Sequence, residues 1–231
     1  GKSETIADTA RVLSRYLDAI TYRCYSHLDV AELANNSNVP VINALSDKHH
    51  PCQAAADLMT IIEKKGMEKL KIAWVGDGNN VLHDLMLAAS IFGFDITWAV
   101  PKGYEPDSEV VNRSEIIAEK TGSKLIETND PVDAVKNADV IYTDVFVSMG
   151  EEHLEDKMND FSGFQVNEEL VSNAKEDYIF MHCLPAHRGE EVTDYVIDSK
   201  NSVVFDQAEN RMWSQMSMLT YLVNRPACDT Y

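Results

Sequence analysis

The chain has 231 residues, 45% of them hydrophobic, with 38 Asp and Glu against 20 Lys and Arg and a formal charge of -18. That length and apolar content support one large or two modest domains with real cores. The charge repels polyanions, which argues against nucleic acid or an anionic membrane as main partner but leaves room for a small anion held by converging Arg and His. The cysteines, Cys24, Cys52, Cys183 and Cys228, form no Cys-x-x-Cys pair, so a reducing, cytoplasmic setting is expected in place of a disulfide framework. The most apolar region, residues 81–100, is broken by His83, Asp84 and Asp95, and no membrane span is expected. No leader is visible at the start of the sequence.

Residues 3–18 place Ile6, Ala10, Leu13 and Leu17 at helical spacing, which predicts an amphipathic helix. Residues 19–25 then read as a strand. Ser26 with Asp29 three positions on resembles a capping box opening a helix, and residues 39–45 return as a strand. Pro51 at a first helical position starts a longer helix ending near Gly66. A second series follows: strand 71–76, helix 80–92, strand 95–100, helix 108–121 and strand 124–128. Asp130-Pro131 opens a short helix before strand 140–145; strands 178–184 and 202–205 come next, and residues 208–223 close as a helix. This alternation predicts an α/β architecture with a parallel, doubly wound sheet, and a short hinge at residues 66–69 is the best boundary.

Four polar clusters fall at element ends. Ser46-Asp47-Lys48-His49-His50-Pro51-Cys52-Gln53 lies at a helix N-terminus, where free N–H groups and the helix dipole favour an anion or a carbonyl oxygen; alternatively Asp47 or His49 merely caps the helix. Gly76-Asp77-Gly78-Asn79-Asn80 follows a strand like the start of a dinucleotide fingerprint, but Val81 stands where a third Gly is usual. Strand 95–100 ends in Val-Pro-Lys rather than an acid for a ribose, which disfavours a nicotinamide cofactor. A tight turn with two Asn side chains free to orient a polar ligand remains, or a plain turn. The third cluster, from Asp144 to Glu151, offers a carboxylate for an ammonium and Ser148 for a carboxylate. The fourth, His182-Cys183-Leu184-Pro185-Ala186-His187-Arg188, ends an apolar run, where ligands of open α/β sheets bind. Arg211 reads, by itself, as an exposed helix residue pairing with Glu209. No His-Glu-x-x-His or similar pair is present, so no metal is expected; a Cys-His hydrolase lacks an identifiable orienter for its imidazole.

Taken in order, His50-Pro51-Cys52-Gln53, Asp77-Gly78-Asn79-Asn80, Asp144 with Ser148-Met149-Gly150, and His182-Cys183-Leu184-Pro185 resemble the motifs of ornithine carbamoyltransferases. So do Asp8-Thr9-Ala10-Arg11-Val12-Leu13 and Ala208-Glu209-Asn210-Arg211. The resemblance implies transfer of a carbamoyl group from carbamoyl phosphate to the side-chain amine of L-ornithine, giving L-citrulline and phosphate without metal or organic cofactor. It implies that Arg23, His50 and Arg211 bind the carbamoyl oxygen, and that Gln53 and the Cys183-Leu184 backbone bind its amide nitrogen. Asn80, Asp144, Ser148 and Met149 would hold ornithine, with Cys183 beside the reacting amine. It implies two Rossmann-like domains: residues 1–66 as a partial carbamoyl-phosphate domain joined by the returning helix 208–224, and residues 67–207 as the ornithine domain. A homo-oligomer, a trimer or a multiple of one, is implied as well.

The family's earlier Ser-x-Arg-Thr-Arg phosphate segment does not occur in the sequence. Roughly a hundred residues of the family pattern, about a small domain, are therefore expected to lie upstream. The alternatives are a non-catalytic fragment or paralogue that binds an amino acid, and a Rossmann-like nucleotide binder.

Overall fold

The structure, a computed structural model, describes residues 4–147 and 157–224. It opens with α1 (Ile6–Leu13), β1 (Ile20–Arg23), α2 (His27–Asn36), β2 (Val41–Leu45) and α3 (Pro51–Lys65). Then come β3 (Lys71–Val75), α4 (Asn80–Phe92), β4 (Asp95–Ala99), α5 (Ser108–Thr121), β5 (Leu125–Thr128), α6 (Pro131–Val135) and β6 (Val140–Thr143). The remainder is α7 (Lys157–Asp160), α8 (Glu168–Val171), β7 (Ile179–His182), α9 (Asp194–Ile197) and α10 (Val204–Val223). β1 and β2 pair in parallel, and a five-stranded parallel sheet runs β5-β4-β3-β6-β7. This is the α/β, parallel-sheet class that the strand–helix alternation predicts.

Side-chain alternation along the strands explains why the larger sheet is covered on both faces. Ile72 and Trp74 of β3, Tyr142 of β6 and Met181 of β7 join one core with Ile61, Leu82 and Leu85. Ala73, Val75, Ile141 and Phe180 join the other with Val135, Leu170 and Val196. A period of two sends neighbours to opposite layers, and each large apolar side chain so buried contributes about 1.5–3 kcal/mol. α10 packs back along α3, which brings the end of the described chain against its first third.

Several boundaries differ from the sequence expectation. Residues 202–205 form no strand: Ser202 makes an isolated bridge to Phe180, Val203 N–H donates to Phe180 O at 3.0 Å, and α10 already begins at Val204. Val203 and Val204 are buried and β-branched, so they mimic a strand while filling the core beneath a helix start. α1 stops at Leu13 because the Ser14 hydroxyl donates to Ala10 O at 2.7 Å and accepts from Asn38 N–H at 3.0 Å, tying the chain to the end of α2. Ser26 caps α2 without a side-chain bond; Asp47 from the β2–α3 loop accepts the His27 N–H at 2.8 Å in its place.

Candidate active site

In the order β5-β4-β3-β6-β7 successive strands are added first on one side of β3 and then, from β6, on the other, and ligands of open α/β sheets bind at such a switch. Gly76-Asp77-Gly78-Asn79 leaves β3 there and Asp144 leaves β6 beside it. Asn79 Nδ2 donates to Asp144 Oδ2 across 2.8 Å, while its Oδ1 caps α4 by accepting from Val81 and Leu82 N–H. Asn80 Nδ2 donates to Ser46 O at 2.6 Å. Asn79 is therefore occupied at both ends of its amide, contrary to the expectation that it stands free, whereas Asn80 is held through Nδ2 alone. Gly78 permits the turn, since a Cβ at that position would lie 2.4 Å from Tyr104 O and from Pro106 N.

Thr143 of β6 pairs with His182 of β7, so the residues that follow, Asp144 and Cys183, become neighbours. Cys183 Sγ donates to Asp144 Oδ1 at 2.9 Å. Burial and then the Asp144 charge push the Cys183 thiol well above its usual range, so it stays protonated near neutrality. A Cys-His hydrolase is not what this geometry builds, because Cys183 is bonded to a carboxylate. His182 is fully buried; its Nδ1 accepts the Leu184 N–H at 2.9 Å and its Nε2 lies 3.0 Å from Glu191 Oε1. Leu184 takes a left-handed φ of 58°, rare for a branched residue, and the Leu184–Pro185 peptide is cis.

On the facing side, His50 is the N-cap of α3 and makes no side-chain cap bond; neither Asp47, which serves α2, nor His49, whose Nδ1 lies 2.7 Å from Asp84 Oδ1, caps α3 in its place. Burial, then Arg211 and Arg23, lower the His50 pKa to about 4, which leaves a neutral imidazole with a buried Nδ1 lacking a partner among the described residues. Arg211 does not pair with Glu209, which accepts from Trp213 Nε1; Arg211 Nη1 donates to Gln53 Oε1 at 2.5 Å. Gln53, His50, Arg211 and Arg23 thus gather on one side, with Asp144, Cys183 and Leu184 opposite. The field of Arg211 reaches Cys183 as well. Ser148 and Met149 lie outside the described residues. His187 and Arg188 are exposed and turned to local carboxylates: Glu190 for the first, Asp194 and Asp198 for the second.

Sequence reasoning missed the buried carboxylate of Asp57. It accepts from Gln53 Nε2 and Gln207 Nε2, both at 2.7 Å, and from Tyr142 Oη at 3.0 Å. Burial lifts its pKa to about 7, while those three donors and Arg211 pull it back. A lone acid within the Ala54-to-Ile61 face, one turn after Gln53, was the available signal. For a cation, the ligand atoms of Asp144, His182 and Cys183 lie within 4.8 Å of one another, as do those of His187, Glu190 and Glu191. Both His182 nitrogens are already engaged, so coordination would break one of those bonds. A surface hollow of about 710 Å³ lined by Lys64, Lys65, Asp177 and Asp206 holds none of the site residues; its lysines and carboxylates pair with one another.

Residues 68–222 match the family model for the Asp/Orn binding domain of aspartate/ornithine carbamoyltransferases, and residues 1–63 match the carbamoyl-P binding domain of the same family. The catabolic ornithine carbamoyltransferase of Thermoplasma acidophilum is 58% identical over 97% of this chain and 74% of its own length. The anabolic enzyme of Pyrococcus furiosus is 59% identical over 96% of this chain and 71% of its own. The solved structure of ornithine carbamoyltransferase from Pyrococcus furiosus superposes with a TM-score of 0.92 over 95% of this chain and 71% of that one. Sequence and fold agree, and the chain belongs to the aspartate/ornithine carbamoyltransferase family.

Proposed function

We propose that this protein transfers the carbamoyl group of carbamoyl phosphate to the δ-amine of L-ornithine, releasing L-citrulline and phosphate. The observation that carries the reading is the pair of facing clusters. A neutral His50 and the Arg211–Gln53 pair stand on one side, and a thiol-bonded Asp144 stands on the other. Arg23, His50 and Arg211 would donate to the carbamoyl oxygen as it gains charge in the tetrahedral transition state, where preorganised donors are worth most. Gln53 Oε1 and the Cys183-Leu184 backbone would accept from the carbamoyl amide. Asp144 and Asn80, with Ser148 and Met149, would hold ornithine.

An alkyl amine with pKa near 10.4 must shed a proton to attack, a cost of about 4–5 kcal/mol at pH 7. A bare carboxylate would raise that cost by stabilising the ammonium. The Cys183 thiol and Asn79 each donate to Asp144, which softens its charge and suits it to anchoring the amine.

The reading divides the chain into residues 1–66 with the returning helix 208–224, for carbamoyl phosphate, and residues 67–207, for ornithine. The packing of α10 on α3 supports that division. We also read the protein as a cytoplasmic homo-oligomer. Free Cys24, Cys52 and Cys183 suit a reducing setting, no helix among the described residues is long and apolar enough to cross a membrane, and exposed Trp213, Met216 and Tyr221 suit a further contact. The test is citrulline formation from ornithine and carbamoyl phosphate by the complete polypeptide, with loss of at least a hundredfold in kcat/KM in Arg211→Ala. A complete polypeptide that binds ornithine and forms no citrulline would favour the non-catalytic amino-acid binder.

A further inference from the structure

The amide of Gln53 has one shape whichever way round it sits, so its orientation is set by its neighbours. One end meets Asp57 Oδ1, which also accepts from Gln207 Nε2 and so faces Gln53 as an acceptor; the other meets Arg211, which only donates. Turning the amide over would set its NH₂ against the guanidinium and its oxygen against the carboxylate. Asp57 is itself held without ambiguity. Gln207 Oε1 accepts the His182 N–H at 2.9 Å, which forces Gln207 Nε2 toward Asp57 Oδ1 and Tyr142 Oη. The Tyr142 hydroxyl, already an acceptor from Gln207, gives its proton to Asp57 Oδ2. Asp57 has no solvent exposure, so no water competes for these bonds. Its partners sit on α3, α10 and β6, and Gln207 in turn holds the end of β7; α3 and α10 also carry Gln53 and Arg211, and Asp144 and Cys183 directly follow β6 and β7.

We propose that Asp57 is a positioning residue for carbamoyl phosphate: by taking the Gln53 amide hydrogens, it fixes Gln53 Oε1 as the acceptor offered to the carbamoyl amide. The inference rests on the transferase reading above and assigns no contact between Asp57 and substrate. Gln53 and carbamoyl phosphate should feel its loss, and ornithine, bound on the Asp144 side, should not.

The experiment is steady-state kinetics of citrulline formation by the complete polypeptide. Asp57→Leu, similar in size and unable to accept, is expected to raise the KM for carbamoyl phosphate at least tenfold while the ornithine KM moves less than twofold. Asp57→Asn keeps one oxygen for the two amides and is expected to stay within threefold of wild type. If Asp57→Leu does not fold, the contact is read from the other end. Gln53→Glu sets two carboxylates together and should raise the carbamoyl phosphate KM at least tenfold; adding Asp57→Asn, which removes one of the two like charges, should recover threefold or more. Equal changes in both KM values, or a double variant no better than Gln53→Glu, would overturn the assignment. A wild type without citrulline formation would sink the transferase reading and this inference together; an active wild type with those variant results sinks the inference alone.

Discussion

His49 and Asp84 join the loop ahead of α3 to the first turns of α4, with Nδ1 and Oδ1 2.7 Å apart. The side chains are 15% and 9% exposed, so solvent screens the contact poorly, and the second Asp84 oxygen has no partner among the described residues. The same loop is tied down by His83 Nδ1 at 2.8 Å from Lys48 O and by Asn80 on Ser46 O. His50 follows directly, so these bonds set where the N-terminus of α3 begins. Removing His49 would leave a buried carboxylate without its hydrogen-bond donor, which costs about 1–3 kcal/mol. His49→Ala is therefore expected to lower unfolding stability by about that amount, and His49→Ala with Asp84→Ala to recover at least half of the loss. Chemical denaturation of the three variants checks this; a single variant within 0.5 kcal/mol of wild type would be incompatible with the bridge.

The His50 imidazole titrates at about 4 in the folded chain against 6.5 when free, because burial and then Arg211 and Arg23 oppose its charge. The unfolded chain therefore binds the extra proton first as pH falls, and the contribution to stability, full above 6.5, declines down to about 4. Between pH 6.5 and about pH 4.5 the loss amounts to about 2 kcal/mol. His50→Gln removes the titration and should flatten that part of the stability curve by a similar amount. Denaturant midpoints at the two pH values decide the matter, and identical slopes in variant and wild type would show that another group is responsible.

The strands and the long helices were legible because the short, mostly apolar runs of β3, β6 and β7 and the Pro51 start of α3 are local signals. That Asp144 and Cys183 each stand at a strand end was legible too; that β6 and β7 pair in the register that makes them neighbours was not. What stayed hidden depends on partners far away in sequence. Asp47 caps α2 from across a strand, which no capping-box pattern reveals. Asp57 looks like an ordinary acid on a helix until Gln207 and Tyr142, 150 and 85 residues later, close around it. Residues 202–205 were misread because two buried β-branched side chains look alike in a strand and under a helix start.

At Gly78 the turn between β3 and α4 presses on another backbone segment. Its N–H donates to Tyr104 O at 2.9 Å, and a Cβ would stand 2.4 Å from that oxygen and from Pro106 N, closer than real contacts allow. The obstructing atoms are main chain and cannot rotate aside, so one of the two loops must move. Gly78→Ala is expected to cost about 1–3 kcal/mol and to disturb the Asn79–Asp144 bond that follows it. Thermal or chemical unfolding measures the first effect, and a higher KM for ornithine reads the second. An alanine variant as stable as wild type would mean the 104–106 loop yields freely.

The Cys183 thiol offers a sharper choice between two roles. If it acts as a donor to Asp144, serine, which also donates, should keep much of the function that alanine loses. A hydrogen bond to a charged acceptor is worth about 1.5–3 kcal/mol, so Cys183→Ala is expected to reduce ornithine-dependent turnover by roughly 10–150-fold. Cys183→Ser should recover at least half of that on a logarithmic scale. If the group served instead as a thiolate, serine would be no better than alanine, because a hydroxyl does not ionise at these pH values. The raised pKa of Cys183, set by burial and Asp144, argues for the donor and further implies slow alkylation in the folded protein at pH 8, where an unhindered thiol with pKa near 8.5 reacts readily. Rapid labelling of Cys183 together with an inactive serine variant would overturn the donor assignment.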